Sequence, residues 1–146
     1  MRETEKSLRL YFLIAGVISA LLAVRDLSTL AKLGSLGGAL PASWMLAIWF
    51  PIIARLALGC AYIWAGLRIS VELPRGAAWI KTMLLVSIVV LVIDAILIGS
   101  VLGMDFGQSG ITQSVVGLAI TAYLLANVRR LSDEAVAKQP PPARVV

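Results

Sequence analysis

Four stretches of this chain are nearly free of charge, and short polar or turn-forming segments separate them. A helix needs about 20 apolar residues to cross a ~30 Å hydrocarbon core. On that measure the pattern predicts spans at about 8–24, 44–67, 78–102 and 111–128. The first run, LYFLIAGVISALLAV from Leu10 to Val24, follows Arg2, Lys6 and Arg9 and closes at Arg25-Asp26. A cleaved signal peptide is the rival reading. Glu3 and Glu5 in the leading segment, and Arg25 where a small-x-small site would stand, favour a retained anchor.

The connections differ in kind. RISVELPRGA joins the second and third spans, and its Pro74 and Gly76 mark a hairpin. GMDFGQSG, from Gly103 to Gly110, predicts the turn before the fourth span. Between Leu27 and Ser43 the chain is too polar and glycine-rich to cross, yet Leu27, Leu30, Leu33 and Leu36 recur every third residue. Two readings stand there, a short interfacial helix and a loop with scattered leucines, because Gly34, Gly37 and Gly38 each weaken a helix by about 1 kcal/mol relative to alanine. Residues 1–131 thus form one four-span domain. Residues 132–146, with three consecutive prolines, read as a disordered cytoplasmic tail, polyproline-like in part.

Composition narrows the class. The chain has 146 residues, 60% hydrophobic and 14% charged, far more apolar than the roughly half-apolar, quarter-charged soluble norm. Four crossings nearly exhaust that length and leave no room for an appended soluble domain. The net charge of +5 lies at span ends rather than in a basic run with interleaved aromatics, so nucleic acid is not an expected partner. The lipid bilayer is, together with a homo-oligomer or a membrane-protein partner. Histidine is absent and Cys60 is the one cysteine, which leaves no imidazole base and no paired thiols. No Ser-His-Asp set, HExxH helix, Walker loop or GxGxxG occurs, so no enzyme activity, metal or cofactor is expected.

Lys and Arg near the spans number ten on the side of the termini and the second connection, against two, Arg25 and Lys32, on the other. The positive-inside rule then places both termini in the cytoplasm. The expected fold is an all-α four-helix transmembrane bundle of up-down topology, in a bacterial inner membrane by its small, bare polytopic design. Trp44 and Trp49 suit one interfacial belt and Trp79 the other.

Two ionisable residues interrupt the apolar spans, Arg55 in the second and Asp94 in the third. In an antiparallel hairpin, residues equidistant from the turn meet at one depth. The midpoint of 55 and 94 falls between Pro74 and Arg75, the centre of the predicted turn. A lone Arg or Asp at the bilayer centre costs about 2.5–3.5 kcal/mol on insertion scales. Attraction at ~4 Å is about 4 kcal/mol at an effective dielectric of 20, so pairing makes both charges tolerable without making them strongly stabilising.

The surroundings extend this pair into an expected polar core. Helical spacing sets Gly59, Tyr62 and Gly66 on the Arg55 face, a stripe that a neighbouring helix can approach closely. Ser87 shares the Asp94 face. On the fourth span Gln113, Gly117 and Thr121 recur every fourth residue, and reflecting Asp94 through the predicted outer turn lands near Thr121. Pro51, one turn before Arg55, either kinks a full-length span or begins a shorter one as its first helical residue. The charged pair has three uses: fixing helix packing, docking a partner helix, or carrying ions. The expectation is an accessory or assembly component without catalytic activity, in which the Arg55–Asp94 pair fixes packing. The alternative is a small oligomeric transporter or channel for ions, protons or small solutes using Asp94 and Arg55.

Overall fold

The computed structural model describes residues 3–34, 41–101 and 103–142. Four long helices make up the fold: α1 (Glu3–Gly34), α2 (Ala42–Glu72), α3 (Ala78–Val101) and α4 (Gly103–Ala137), with a 3-10 turn at Leu73–Arg75 between α2 and α3. Each contains a stretch long and apolar enough to cross a membrane. At 1.5 Å per residue α1, α2 and α4 exceed about 45 Å, half as long again as the ~30 Å core. Their ends therefore carry the polar sequence.

Three boundaries differ from those the sequence pattern predicts. Arg25-Asp26 does not close the first helix; α1 runs on through Leu27 and Leu30 to Gly34. The expected Leu27–Ser43 connection is thus helical in its first part, as a continuation of α1 rather than a separate interfacial helix, while Leu36, Gly37 and Gly38 lie outside the described residues, as do Arg2 and Arg144. GMDFGQSG is not a turn. α4 begins at Gly103, whose φ of 74° is left-handed, so the reversal falls at least one helical turn earlier than expected. At the far end α4 continues through Ser132 to Ala137, where a disordered tail was expected from residue 132. Leu131 packs against the core and Ser132 is buried, which explains the extra turns. Gln139 follows and donates from Nε2 to the Pro74 carbonyl at 2.5 Å.

The α2–α3 reversal matches expectation. Pro74 stands inside the 3-10 turn and Gly76, at φ 87°, supplies the left-handed residue that ends it. Pro51 lies inside α2 rather than at its start, ten residues into a continuous helix, and leaves the Ala47 carbonyl without its intrahelical donor.

Packing is unequal. α1 lies along α2 and α3 along α4, α2 joins the two pairs through α3, and α1 touches α4 only sparsely. Contacts run in opposite senses along each pair: Phe12 and Leu13 meet Gly66 while Gly16 meets Gly59, and Ile98 meets Gly110 while Leu91 meets Gly117. Both pairs are therefore antiparallel. Large apolar side chains such as Leu21, Ile53, Leu67 and Ile96 face outward. Lipid tails solvate such groups as well as another helix does, so close backbone approach and polar contacts must hold the helices together. At Gly16 the approach is so close that a Cβ would stand 2.8 Å from the Gly59 carbonyl oxygen.

The interior divides along its length. Leu8, Phe12, Ala65, Ile69, Leu73, Ile80, Leu84, Leu124 and Val128 form an apolar core toward the Leu73–Arg75 turn. Beyond Tyr62 the buried residues include the charged Arg55 and Asp94 and the hydroxyl of Ser114 among apolar ones such as Ala23, Ile52 and Leu91.

Candidate functional site: a ladder of charges across three helices

Each helix brings one polar side chain to a common level: Asp26 from α1, Arg55 from α2, Asp94 from α3 and Ser114 from α4. Arg55 and Asp94 do come together, Nη2 standing 3.7 Å from Asp94 Oδ2. Arg55 makes its closer contact elsewhere. Nη1 donates to Asp26 Oδ2 at 2.5 Å, and Asp26 Oδ1 in turn accepts from Arg25 Nη2 at 3.2 Å. Signs alternate along Arg25, Asp26, Arg55 and Asp94, and side-chain exposure falls from 59% through 24% and 11% to 2%. The ladder leads from the surface into the centre of the bundle.

The presence of Asp26 follows from length. The uncharged run from 10 to 24 covers only about 22 Å of helix, short of the ~30 Å core. A carboxylate directly beyond it needs a partner, and α2 supplies Arg55. Ser19, two turns earlier on the same face, donates from Oγ to the Arg55 carbonyl at 3.0 Å. At the buried end Ser114 Oγ donates to Asp94 Oδ2 at 2.8 Å, and Asp94 Oδ1 has no hydrogen-bond partner among the described residues.

Tyr62 and Thr121 form a second, separate polar contact at 2.8 Å. The Thr121 hydroxyl proton is committed to the Gly117 carbonyl at 2.8 Å. A hydroxyl has one proton to give, so Tyr62 is the donor to Thr121. Neither residue reaches the charges. Ser87 is buried, but its hydroxyl bonds back to the Met83 carbonyl of its own helix at 2.8 Å and does not join the ladder. Gln113 is half-buried and lines a cavity instead.

The expected small-residue positions have defined partners. Gly59 lies against Gly16 and Ala20, Gly66 against Phe12 and Leu13, and Gly117 against Leu91. The helix that approaches the α2 stripe is therefore α1. The two helices α1 and α3 so bring their carboxylates to Arg55 of α2, and a guanidinium with five donors in a fixed fork suits such a bridge.

Two members of the ladder escaped the sequence reading. Asp26 looked like a boundary, although Phe12, Gly16, Ser19, Ala23 and Asp26 alternate steps of four and three, the signature of one buried helix face. Ser114 was displaced by reading α4 in steps of four. Steps of three and four give Ser114, Gly117, Thr121, Leu124 and Val128, of which all but the half-buried Gly117 are buried.

Cys60 is exposed on the outside of α2, and no group of three or more His, Cys, Asp or Glu that could hold a metal occurs among the described residues. The arrangement holds charge and binds helices together. Comparison with protein families, curated proteins and solved structures yields no match to this chain.

Proposed function

We propose that this chain is a multi-pass protein of a bacterial inner membrane, with four spans of alternating direction and both termini in the cytoplasm, acting as an accessory or assembly component without catalytic activity. The observation that carries this reading is Arg55 held between Asp26 and Asp94, carboxylates from two other helices. Where hydrocarbon on both sides removes the usual hydrophobic drive for association, such a bridge fixes the rotation and depth of α1, α2 and α3 together. Positive-inside asymmetry supports the orientation.

A transporter or channel is the second reading, favoured by Asp94 Oδ1, which has no hydrogen-bond partner among the described residues. Buried ionisable groups in spans commonly mark ion paths. Purified protein in proteoliposomes separates the two. The assembly reading expects no flux of protons, monovalent ions or small solutes above empty vesicles, and a stoichiometric membrane partner in a detergent-solubilised pull-down. Flux that Asp94→Asn abolishes while the fold is retained would establish transport instead.

A further inference from the structure

Between α1 and α4, lined also by Arg55, Leu58 and Tyr62 of α2 and Leu91 of α3, lies a cavity of about 250 Å³. Nearer the Leu73–Arg75 turn α1 and α4 meet at Tyr11 and Tyr123, their rings edge to face at 6.0 Å. Ile18 on α1 and Val116 and Ile120 on α4 form its lips, each about half exposed where the bilayer would lie. Its walls are mostly apolar; among the polar groups of the lining the hydroxyls of Ser19, Tyr62, Thr112 and Thr121 donate within the protein, which leaves Arg55 and Gln113 to meet an occupant.

Those two residues define the chemistry of the occupant. Among the described residues the Arg55 guanidinium has one hydrogen-bond acceptor, Asp26 Oδ2, which leaves other N–H groups of its five. Gln113 makes no hydrogen bond among the described residues, and its amide presents two more donors. An anionic group is disfavoured because Asp26 and Asp94 already stand within 4 Å of Arg55. Arg55 itself repels a cation. A neutral acceptor attached to hydrocarbon meets both demands. At about 250 Å³ the cavity is below the roughly 300–1,000 Å³ of pockets that enclose a whole drug-sized ligand, so it takes the head-proximal part of one chain with its carbonyl, and the rest of the molecule stays outside.

We propose that the α1–α4 cleft binds one acyl chain of a net-neutral bilayer lipid, with Arg55 and Gln113 as donors to its ester carbonyl. The proposal rests on the reading that these helices span a bilayer. Retention in membranes through carbonate extraction tests that reading by itself, and loss from them would overturn the proposal with it.

The lipid site is tested by offering purified protein an equimolar mixture of diester and diether phosphatidylcholine of equal chain length, and measuring the bound ratio by native mass spectrometry. A neutral hydrogen bond from the Gln113 amide corresponds to a roughly three- to tenfold preference for the diester lipid, and a charge-assisted one from Arg55 to about tenfold or more. Gln113→Leu should bring that ratio toward one at unchanged thermal stability. Ile18→Trp, at a half-exposed lip, should fill the cleft and lower total lipid bound. Equal binding of the two lipids by the wild-type protein overturns the proposal, as does a ratio and total unaltered in both variants.

Discussion

Asp26 of α1 and Arg55 of α2, 29 residues apart in the chain, are joined by a 2.5 Å contact. Asp26 stands just beyond the uncharged run of α1 that ends at Val24; Arg55 is buried in the middle of α2. Their contact makes Arg55 a shared counter-ion rather than half of a pair. Three variants therefore differ in outcome. Arg55→Ala leaves Asp94 with no cation within 4 Å among the described residues and should lower stability by about 3–5 kcal/mol, the cost of breaking a buried pair. Arg55→Leu with Asp94→Leu removes both buried charges and should recover most of it, since Asp26 keeps Arg25. Thermal unfolding in detergent reads this directly, and a double variant no better than Arg55→Ala would sink the packing role.

The glycine contacts make a second, finer prediction. Gly16→Ala and Gly59→Ala each push a Cβ against backbone of the facing helix, at 2.8 and 2.9 Å, where nothing can rotate away. Each should cost about 1–3 kcal/mol as an overpacked site. Gly117→Ala meets only the Leu91 methyls at 3.4 Å, and alanine's helix propensity should make it neutral or stabilising by up to about 1 kcal/mol. Comparable losses at all three sites would contradict the α1–α2 geometry.

Hydroxyl deletions should separate the two polar contacts. Ser114→Ala removes the hydrogen bond to Asp94 Oδ2, the one that either Asp94 oxygen receives among the described residues. A buried acceptor left unsatisfied makes the loss about 1–3 kcal/mol. Tyr62→Phe removes a donor to Thr121, whose own proton stays on Gly117, so about 0.5–1.5 kcal/mol is expected. Unfolding midpoints ranked the other way would show that Asp94 does not depend on Ser114.

Orientation can be read by labelling. In a Cys60→Ala background, Ala42→Cys at the start of α2 should react with a membrane-impermeant maleimide in intact cells. Arg75→Cys, in the 3-10 turn, should react only after permeabilisation. The reverse pattern would invert the proposed topology.

Much of the architecture was legible in the linear pattern. Four apolar runs, the Pro74–Gly76 reversal and the common depth of Arg55 and Asp94 all follow from hydropathy and from counting along a hairpin whose turn is short. The count failed for α3 and α4 because the reversal comes at Gly103 instead of the centre of GMDFGQSG, which moves the partner of Asp94 from Thr121 to Ser114. Glycine and polar residues lower helix propensity by about a kilocalorie per mole at most. Helix packing overrides that easily, so composition alone placed the turn too late.

What the chain determines by itself is that it makes long apolar helices and that two charges within them need company, since insertion of either one alone is costly wherever it lands. Which groups provide that company was a tertiary decision. It depended on the rotation of α1 against α2, set by the facing Gly16 and Gly59, and this rotation carries Asp26 to Arg55. No periodicity within one helix encodes the rotation of its neighbour. The pair read from the sequence is thus one rung of a ladder that only the packed bundle assembles.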